Sequence, residues 1–416
     1  MSYRPNMMIF DTAYTWSMLV ERNIMQNITG RDVGFFGHVW TVHPFGTLFH
    51  DAGDPERYGR PSVHPVNDIH TVIEGKIGRF RALRRFPKLN FLLAQLGLFR
   101  MLSKLVRKRP VHLLRSEDPL YNGLFAWALA RLHRRPLLIG VWGNPGEIRS
   151  RTLRPLSPRL FRSVAQEEKF ERFMLRRADR VLSQNEDNRA FILSLGIPRE
   201  RTGIFRLGNL INPIHFTDPA ERPDGTPDLE ALGVSGEQTL ICVSRLEPLK
   251  LTDHVIRVVR DLEDRGRRVT ALLVGDGTLR AEHEALAREL RVEDRIVFCG
   301  NRDQIWLSRV VPKVSAVLAP FKGRALAEVA LGGVPVIAYD IDWHSELIES
   351  GVTGELVPRL DHVAMAEAVD RVLADPAYAR RLGENVRRRT IEMMHPAIVD
   401  RQQAEIYAEL LAGRGR

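Results

Sequence analysis

The chain has 416 residues, 44% hydrophobic and 27% charged, too long for one ordinary core and suited to two globular domains. Its two cysteines, Cys242 and Cys299, exclude a structural zinc site by count, and their apolar settings predict buried free thiols in a reducing compartment. Net charge is +10, yet residues 1–207 carry +16 and the remainder −6, so the first half suits an anionic partner: membrane, nucleic acid or phosphorylated substrate.

The opening residues, MSYRPNMMIFDTAY, lack the basic flank and long apolar core of a signal peptide. No segment approaches the roughly 20 apolar residues of a membrane span. A cytoplasmic protein is expected. In the first half, NMMIF, VGFFG, PVHLLRS, RPLLIGVWG and ADRVLSQ read as strands, and 123–135 and 163–178 as helices.

Between them, residues 76–110 contain eleven Lys and Arg and no acidic residue, interleaved with Phe, Leu and Ile. This pattern fits an amphipathic element on an anionic membrane surface, with Phe80, Phe86, Phe91, Leu92 and Phe99 as candidate insertions. Pro87 is expected to divide it into two helices. A solvated basic face over an apolar core side is the alternative. Nucleic acid is not expected, because no recognised binding motif accompanies the charge.

Residues 207–238 are rich in Pro, Gly and Asp and read as linker and loop, with a domain boundary near 210. Beyond it the pattern becomes regular. TLICVSRL, VTALLVGDG, RIVFCG, VSAVLAP and VPVIAYD read as strands, with helical segments between them. Strands alternating with helices predict a parallel sheet covered on both faces, with ligands at the carboxyl ends of its strands.

Four consecutive loops then attract attention. SRLEPLK places Arg245 and Lys250 at a strand end before a helix, where a fork of donors, a point charge and helix amides suit phosphate. VGDGTLR offers Gly275 and Gly277 for close backbone approach to a ligand. The third loop holds Asn301, Arg302 and Asp303. The fourth, APFKGRALAE, has Gly323 and Arg324 just before a helix whose first turns carry Glu328, a carboxylate suited to two vicinal hydroxyls. Each loop alone also reads as an ordinary turn. Together they describe a sugar-nucleotide pocket: cations for diphosphate, glycines for close approach, a glutamate for ribose.

Residues from about 239 to 411 resemble the C-terminal domain of the family 4 glycosyltransferases, on SRLEPLK, LLVGDGTLRAEHEALARELRVEDRIVFCG, EVALGGVPVIAYD and HSELIESGVTGELVP. The segment 111–147 is similar, more loosely, to the family's strand, acidic loop, helix and His-Gly strand. The resemblance implies a GT-B fold, α/β with two Rossmann-like domains facing across a cleft: 1–210 for the acceptor, 211–395 for the nucleotide sugar, and 396–416 a helix crossing back. It implies retaining transfer from a nucleotide diphospho-sugar without metal or other cofactor. Arg245 and Lys250 would neutralise the diphosphate, Glu328 hold the ribose, and Gly323 with the following amides contact phosphate or sugar. Arg324 is a further candidate for diphosphate or sugar.

The chain departs from the family in three places. Pro320 stands where the first of two glutamates is usual, Trp142 stands for the His-Gly histidine, and the first loop, DTAYTWSMLVERN, lacks a glycine pair. Asp118, Asn144 and Glu147 are candidate replacements; a structural polar role is the alternative for each. A lipid-linked or growing cell-surface glycan is the expected acceptor, at the cytoplasmic face of the membrane. The alternatives are an inactive sugar-nucleotide-binding protein or another GT-B enzyme such as a sugar-nucleotide epimerase.

Overall fold

The structure, a computed structural model, describes residues 4–21, 24–31, 34–48, 50–51, 54–234, 238–321, 323 and 325–413; the side chains of Glu147 and Arg151 lie outside that description. The chain forms two compact units, Met1–Arg206 with Val399–Arg416, and Leu207–Ile398.

Among the described residues of the first unit, eight strands form one sheet: β1 (Asn6–Phe10), β2 (His38–His43), β3 (Ser62–Pro65), β4 (His70–Glu74), β5 (Leu113–Ser116), β6 (Leu137–Val141), β7 (Arg180–Ser183) and β8 (Thr202–Ile204). Their order is β3-β4-β2-β1-β5-β6-β7-β8, and β3 alone runs antiparallel to its neighbour. Strands β1, β5 and β6 are almost entirely buried, which is why they read as strands; β4, His-Thr-Val-Ile-Glu, is buried as well but its polar ends hid it. The strand expected at VGFFG is not formed. The ladder starts one residue later, at His38, while Phe36 packs edge-on against Tyr407 at 4.8 Å.

Pro87 does divide the basic stretch: a short 3-10 turn, Arg81–Leu83, precedes it and one 22-residue helix, Pro87–Lys108, follows. Pro87 occupies its first turn, where a missing N–H leaves no bond unmade. By length and mean hydropathy this helix could cross a membrane, which corrects the expectation that no segment comes near. In this fold its inner face is core: Leu98, Leu102 and Val106 are buried. Asn90 accepts from the amides of Arg79 and Phe80, and Gln95 donates to the Pro44 carbonyl. Two expected insertions are also corrected. Phe99 packs on Phe125 at 5.6 Å and Phe91 lies 6.1 Å from Tyr121, because both sit on the helix's inward side.

The second unit holds β9 (Thr239–Val243), β10 (Thr270–Val274), β11 (Ile296–Gly300), β12 (Ala316–Ala319), β13 (Val336–Tyr339) and β14 (Glu355–Val357), all parallel, in the order β11-β10-β9-β12-β13-β14. Helix Asp253–Asp264 buries Val255, Ile256, Val258, Val259 and Leu262 at helical spacing against one sheet face.

The segment before β9 is not a loose linker, which corrects its compositional reading. Its prolines start short 3-10 turns, Pro213–Phe216 and Pro219–Glu221, and Arg222 ties them to the second unit. The buried guanidinium donates to the carbonyls of His215, Thr217, Ser308 and Leu331. Burial and nearby Arg387 bring its pKa down to about 10. In the other direction, the chain rejoins the first unit at Val399, and Tyr407 lies fully buried there, accepting from Arg115 Nη1 at 2.6 Å.

Arg222→Ala is expected to lower the stability of the second unit by about 1–2 kcal/mol: Arg387 still donates to the carbonyls of His215, Thr217 and Leu331, while Ser308 O loses its guanidinium donor. The urea midpoint of that unit's unfolding measures the loss; an unchanged midpoint would mean water replaces the guanidinium.

Candidate functional site

The site begins where β9 ends. Residues Ser244–Leu246 leave the sheet, a 3-10 turn covers Pro248–Lys250, and Leu251, at φ 53°, turns the chain into helix Asp253–Asp264. This loop is clamped by its neighbour after β10. Leu246 N donates to Asp276 O at 3.1 Å, Leu279 N to Leu246 O at 3.0 Å, and Thr278 Oγ1 to Glu247 Oε2 at 3.0 Å. The clamp needs both glycines. A Cβ on Gly275 would lie 2.0 Å from Ser244 O, and one on Gly277 2.3 Å from Leu246 O. The close approach expected of these glycines is therefore to the protein's own backbone.

The clamped loop brings Arg245 and Lys250 together with Gly323, the loop residue after β12. All three line a cavity of about 160 Å³ at the carboxyl ends of β9 and β12, with Ser244, Phe321 and Ala325. Lys250 Nζ sits 4.9 Å from the centre of the Phe321 ring, a cation–π contact. Gly323 differs from the other two glycines: among the described residues an added Cβ would meet nothing nearer than Ala325 N at 4.0 Å. The protein does not need glycine there for packing, so its small size keeps the cavity open. Arg324 lies outside the described residues.

Glu328 lies in helix Ala325–Ala330, 6% exposed. Gln304 Nε2 donates to its Oε2 at 3.4 Å, and His215 Nε2 lies 2.6 Å from Gln304 Oε1. Because an amide oxygen only accepts, the histidine is the donor of that bond. Burial lowers the His215 pKa, which favours the neutral ring. Glutamate, glutamine and histidine thus form a relay from three separate segments. Sequence reasoning missed Gln304 and His215, since neither belongs to a local motif. Glu328 does not line the cavity, and neither does Arg302, which is exposed on the loop after β11, 5.2 Å above the Trp306 ring.

The first unit gathers its own polar groups at its carboxyl strand ends. Asp118, after β5, is largely but not fully buried; its Oδ1 accepts from Leu120 N at 2.8 Å and its Oδ2 from Asn122 Nδ2. Burial, with a smaller push from Asp11, raises its carboxyl to about 6. Asp11, after β1, is also buried, yet Arg31 at 2.5 Å holds it below the usual carboxylate range. Glu74, ending β4, accepts from Trp16 N at 2.7 Å. Asp11 and Glu74 escaped the sequence reading because they stand singly. Asn144 follows β6 and is half-buried beside Gly146. Glu147 lies in helix Pro145–Thr152, with its side chain outside the described residues. Trp142 folds back on the sheet. Its ring would lie 2.6 Å from a Cβ at Gly140, and Arg115 stands 5.6 Å over it.

This chain can be compared with known proteins. Residues 229–389 match the family described as glycosyl transferases group 1, and residues 37–208 the glycosyl transferase 4-like domain. A lipopolysaccharide core biosynthesis mannosyltransferase of Rhizobium leguminosarum is 30% identical over 55% of this chain and 64% of its own length. An alpha-D-kanosaminyltransferase of Streptomyces kanamyceticus is 27% identical over 51% of this chain and 56% of its own. The matched part therefore spans less than two thirds of these relatives. Among solved structures, HepE of Anabaena in complex with UDP shares the fold with a TM-score of 0.71 at 17% identity, covering 97% of this chain and 100% of that one. The sucrose-phosphate synthase of Thermosynechococcus elongatus has a TM-score of 0.71 at 19% identity, covering 99% and 100%. Both halves of the sheet architecture, and matches over well more than half of the sequence, place the chain in the GT-B glycosyltransferases of the family-4-like type.

Proposed function

We propose that this protein transfers a sugar from a nucleotide diphospho-sugar to a lipid-linked or growing cell-surface glycan, with retention at the anomeric carbon. The observation that carries the reading is the cavity at the ends of β9 and β12, where Arg245, Lys250 and an open Gly323 converge. The UDP complex of HepE supports a nucleotide donor. In this reading the diphosphate lies against Arg245 and Lys250, and the ribose hydroxyls meet Glu328. Transfer breaks the bond between the anomeric carbon and the leaving phosphate oxygen, so negative charge grows on the diphosphate. Two fixed cations stabilise that charge more in the transition state than in the bound donor, which is how they accelerate the step. No metal or other cofactor is required for this.

The relay from His215 through Gln304 would hold the Glu328 carboxylate in one orientation for the ribose. Arg302, outside the cavity, would at most meet the base. Asp118, Asn144 and Glu147 remain the candidates of the first unit for the acceptor. The acceptor would be met at an anionic membrane surface on the cytoplasmic side, through the basic stretch 76–110.

Titration of the purified protein with a panel of nucleotide sugars, followed by turnover on a membrane extract, tests the reading. Arg245→Ala and Lys250→Ala should each lower turnover by about 10²- to 10³-fold, and EDTA should leave the wild-type rate intact. Binding without turnover on any acceptor would instead favour an inactive nucleotide-sugar-binding protein, the reading that Pro320 and Trp142 recommend.

Gly323→Val fills space that the protein leaves empty. It should keep the thermal midpoint within about a degree while weakening donor binding at least tenfold, measured by calorimetry; unchanged affinity would remove Gly323 from the donor site.

For Asp118, the folded pKa of about 6 exceeds the ordinary 3.8. Its favourable contribution is therefore complete below the unfolded value and is lost as pH rises through 6. Wild type should gain stability relative to Asp118→Asn between pH 7 and pH 5, read from paired urea curves. If its ionised carboxylate serves turnover, the acid limb of the rate profile near pH 6 should vanish in the same variant.

A further inference from the structure

The first unit keeps a second apolar and cationic loop, apart from the stretch 76–110. From Ile148 to Gln166 there is no acidic residue. The chain leaves helix Pro145–Thr152 and reaches Ser163, which caps helix Val164–Leu175. Along the way Leu153, Leu156 and Leu160 stand exposed, Leu153 at 82%, beside exposed Arg154, Arg159 and Arg162. Leu153 also has φ 53°, a left-handed conformation that is unfavourable for any residue with a Cβ. Folding alone gains nothing by holding these leucines in water.

The loop is nevertheless fixed. Arg149, 2% exposed, donates from Nε to Glu167 Oε1 at 2.8 Å and from Nη1 to Glu171 Oε2 at 2.5 Å. The same Glu167 accepts from the amides of Leu156 at 3.0 Å and Ser157 at 2.7 Å. A buried ion cluster therefore grips the loop backbone and leaves its leucines outside.

The first basic segment has the same design. Phe86 at 62% and Leu92 at 64% are exposed with Phe80, Leu89 and Leu96, all on the outer side of the first turns of helix Pro87–Lys108 or just before it. Arg81, Arg84 and Arg85 line a concavity beside them. The first segment follows β4, and the second follows β6 by way of helix Pro145–Thr152; both strands run parallel in one sheet. Four strand spacings separate those strands, on the order of 19 Å. The helices that follow the two loops, Pro87–Lys108 and Val164–Leu175, contribute to one core cluster on one face of the sheet.

We propose that these two loops form one docking surface for an anionic phospholipid bilayer, with the leucine and phenylalanine side chains entering the interface and the arginines pairing with lipid phosphates. The proposal sharpens the membrane partner of the function proposed above and rests on that reading only for the use made of the contact. A bilayer answers both features. Each leucine leaves water on entering the interface, and each arginine is drawn to the anionic surface. A nucleic acid or other soluble polyanion would satisfy the arginines and leave the leucines in water.

The test is sedimentation of the full chain with phosphatidylcholine vesicles, with and without phosphatidylglycerol, alongside a soluble polyanion. Wild type should bind the anionic vesicles selectively. The triple variants Leu153→Ser, Leu156→Ser, Leu160→Ser and Phe86→Ser, Leu89→Ser, Leu92→Ser should each lower the vesicle partition constant at least tenfold. In parallel, Leu153→Trp should shift its emission to the blue with anionic vesicles. Wild-type partitioning in the first triple variant, or no shift in the tryptophan reporter, overturns the docking role of the second loop. Polyanion binding that matches the vesicle binding and ignores the leucines replaces the bilayer with a polyanion. Donor binding measured in the same samples separates the two readings: it should survive in every vesicle-deficient variant, and its absence in wild type would count against sugar transfer alone.

Discussion

The candidate site depends on a contact between two backbones. The loop carrying Arg245 and Lys250 lies against the loop after β10, so closely that Gly275 and Gly277 cannot carry a side chain. Leu246 then exchanges hydrogen bonds with Asp276 and Leu279, and Glu247 bonds Thr278. Two long cationic side chains would otherwise lose considerable freedom on meeting a ligand. Fixing their loop in advance removes part of that cost. The same clamp explains why an arginine and a lysine five residues apart reach one cavity: the intervening 3-10 turn and the left-handed Leu251 fold the segment back on itself.

The regular half of the fold was legible because its strands are buried on both faces and its helices carry a single apolar face. TLICV and TALLV could hardly be anything but central strands, and Val255 to Leu262 mark the inward side of their helix. The first unit was harder. β2 and β4 begin and end with His or Glu, residues usually found outside, yet His43, His70 and Glu74 are buried here. The segment 207–238 misled for another reason. Its composition matches a linker, but Arg222 finds its acceptors on residues up to 109 positions away, which no local pattern records.

Much the same division holds for the site. Arg245, Lys250 and Gly323 belong to local motifs, and the fold brings them to one cavity, which Glu328 does not line. Gly275 and Gly277 were also named, with the wrong neighbour, because a glycine reveals that something comes close without revealing what. His215 and Gln304 meet Glu328 only through the tertiary fold. Trp142 was visible as a departure from the His-Gly step, but only the fold shows what it does instead: its ring packs against Gly140 and Arg115.

The buried cluster of Arg149, Glu167 and Glu171 has an evolutionary consequence. It grips the adjoining loop through backbone amides, which every residue except proline supplies equally. The exposed positions 153, 156 and 160 are consequently free to diversify without threatening the scaffold beneath them. A lineage could exchange leucine for other side chains there and retune which surface the protein visits, while the catalytic architecture is inherited unaltered.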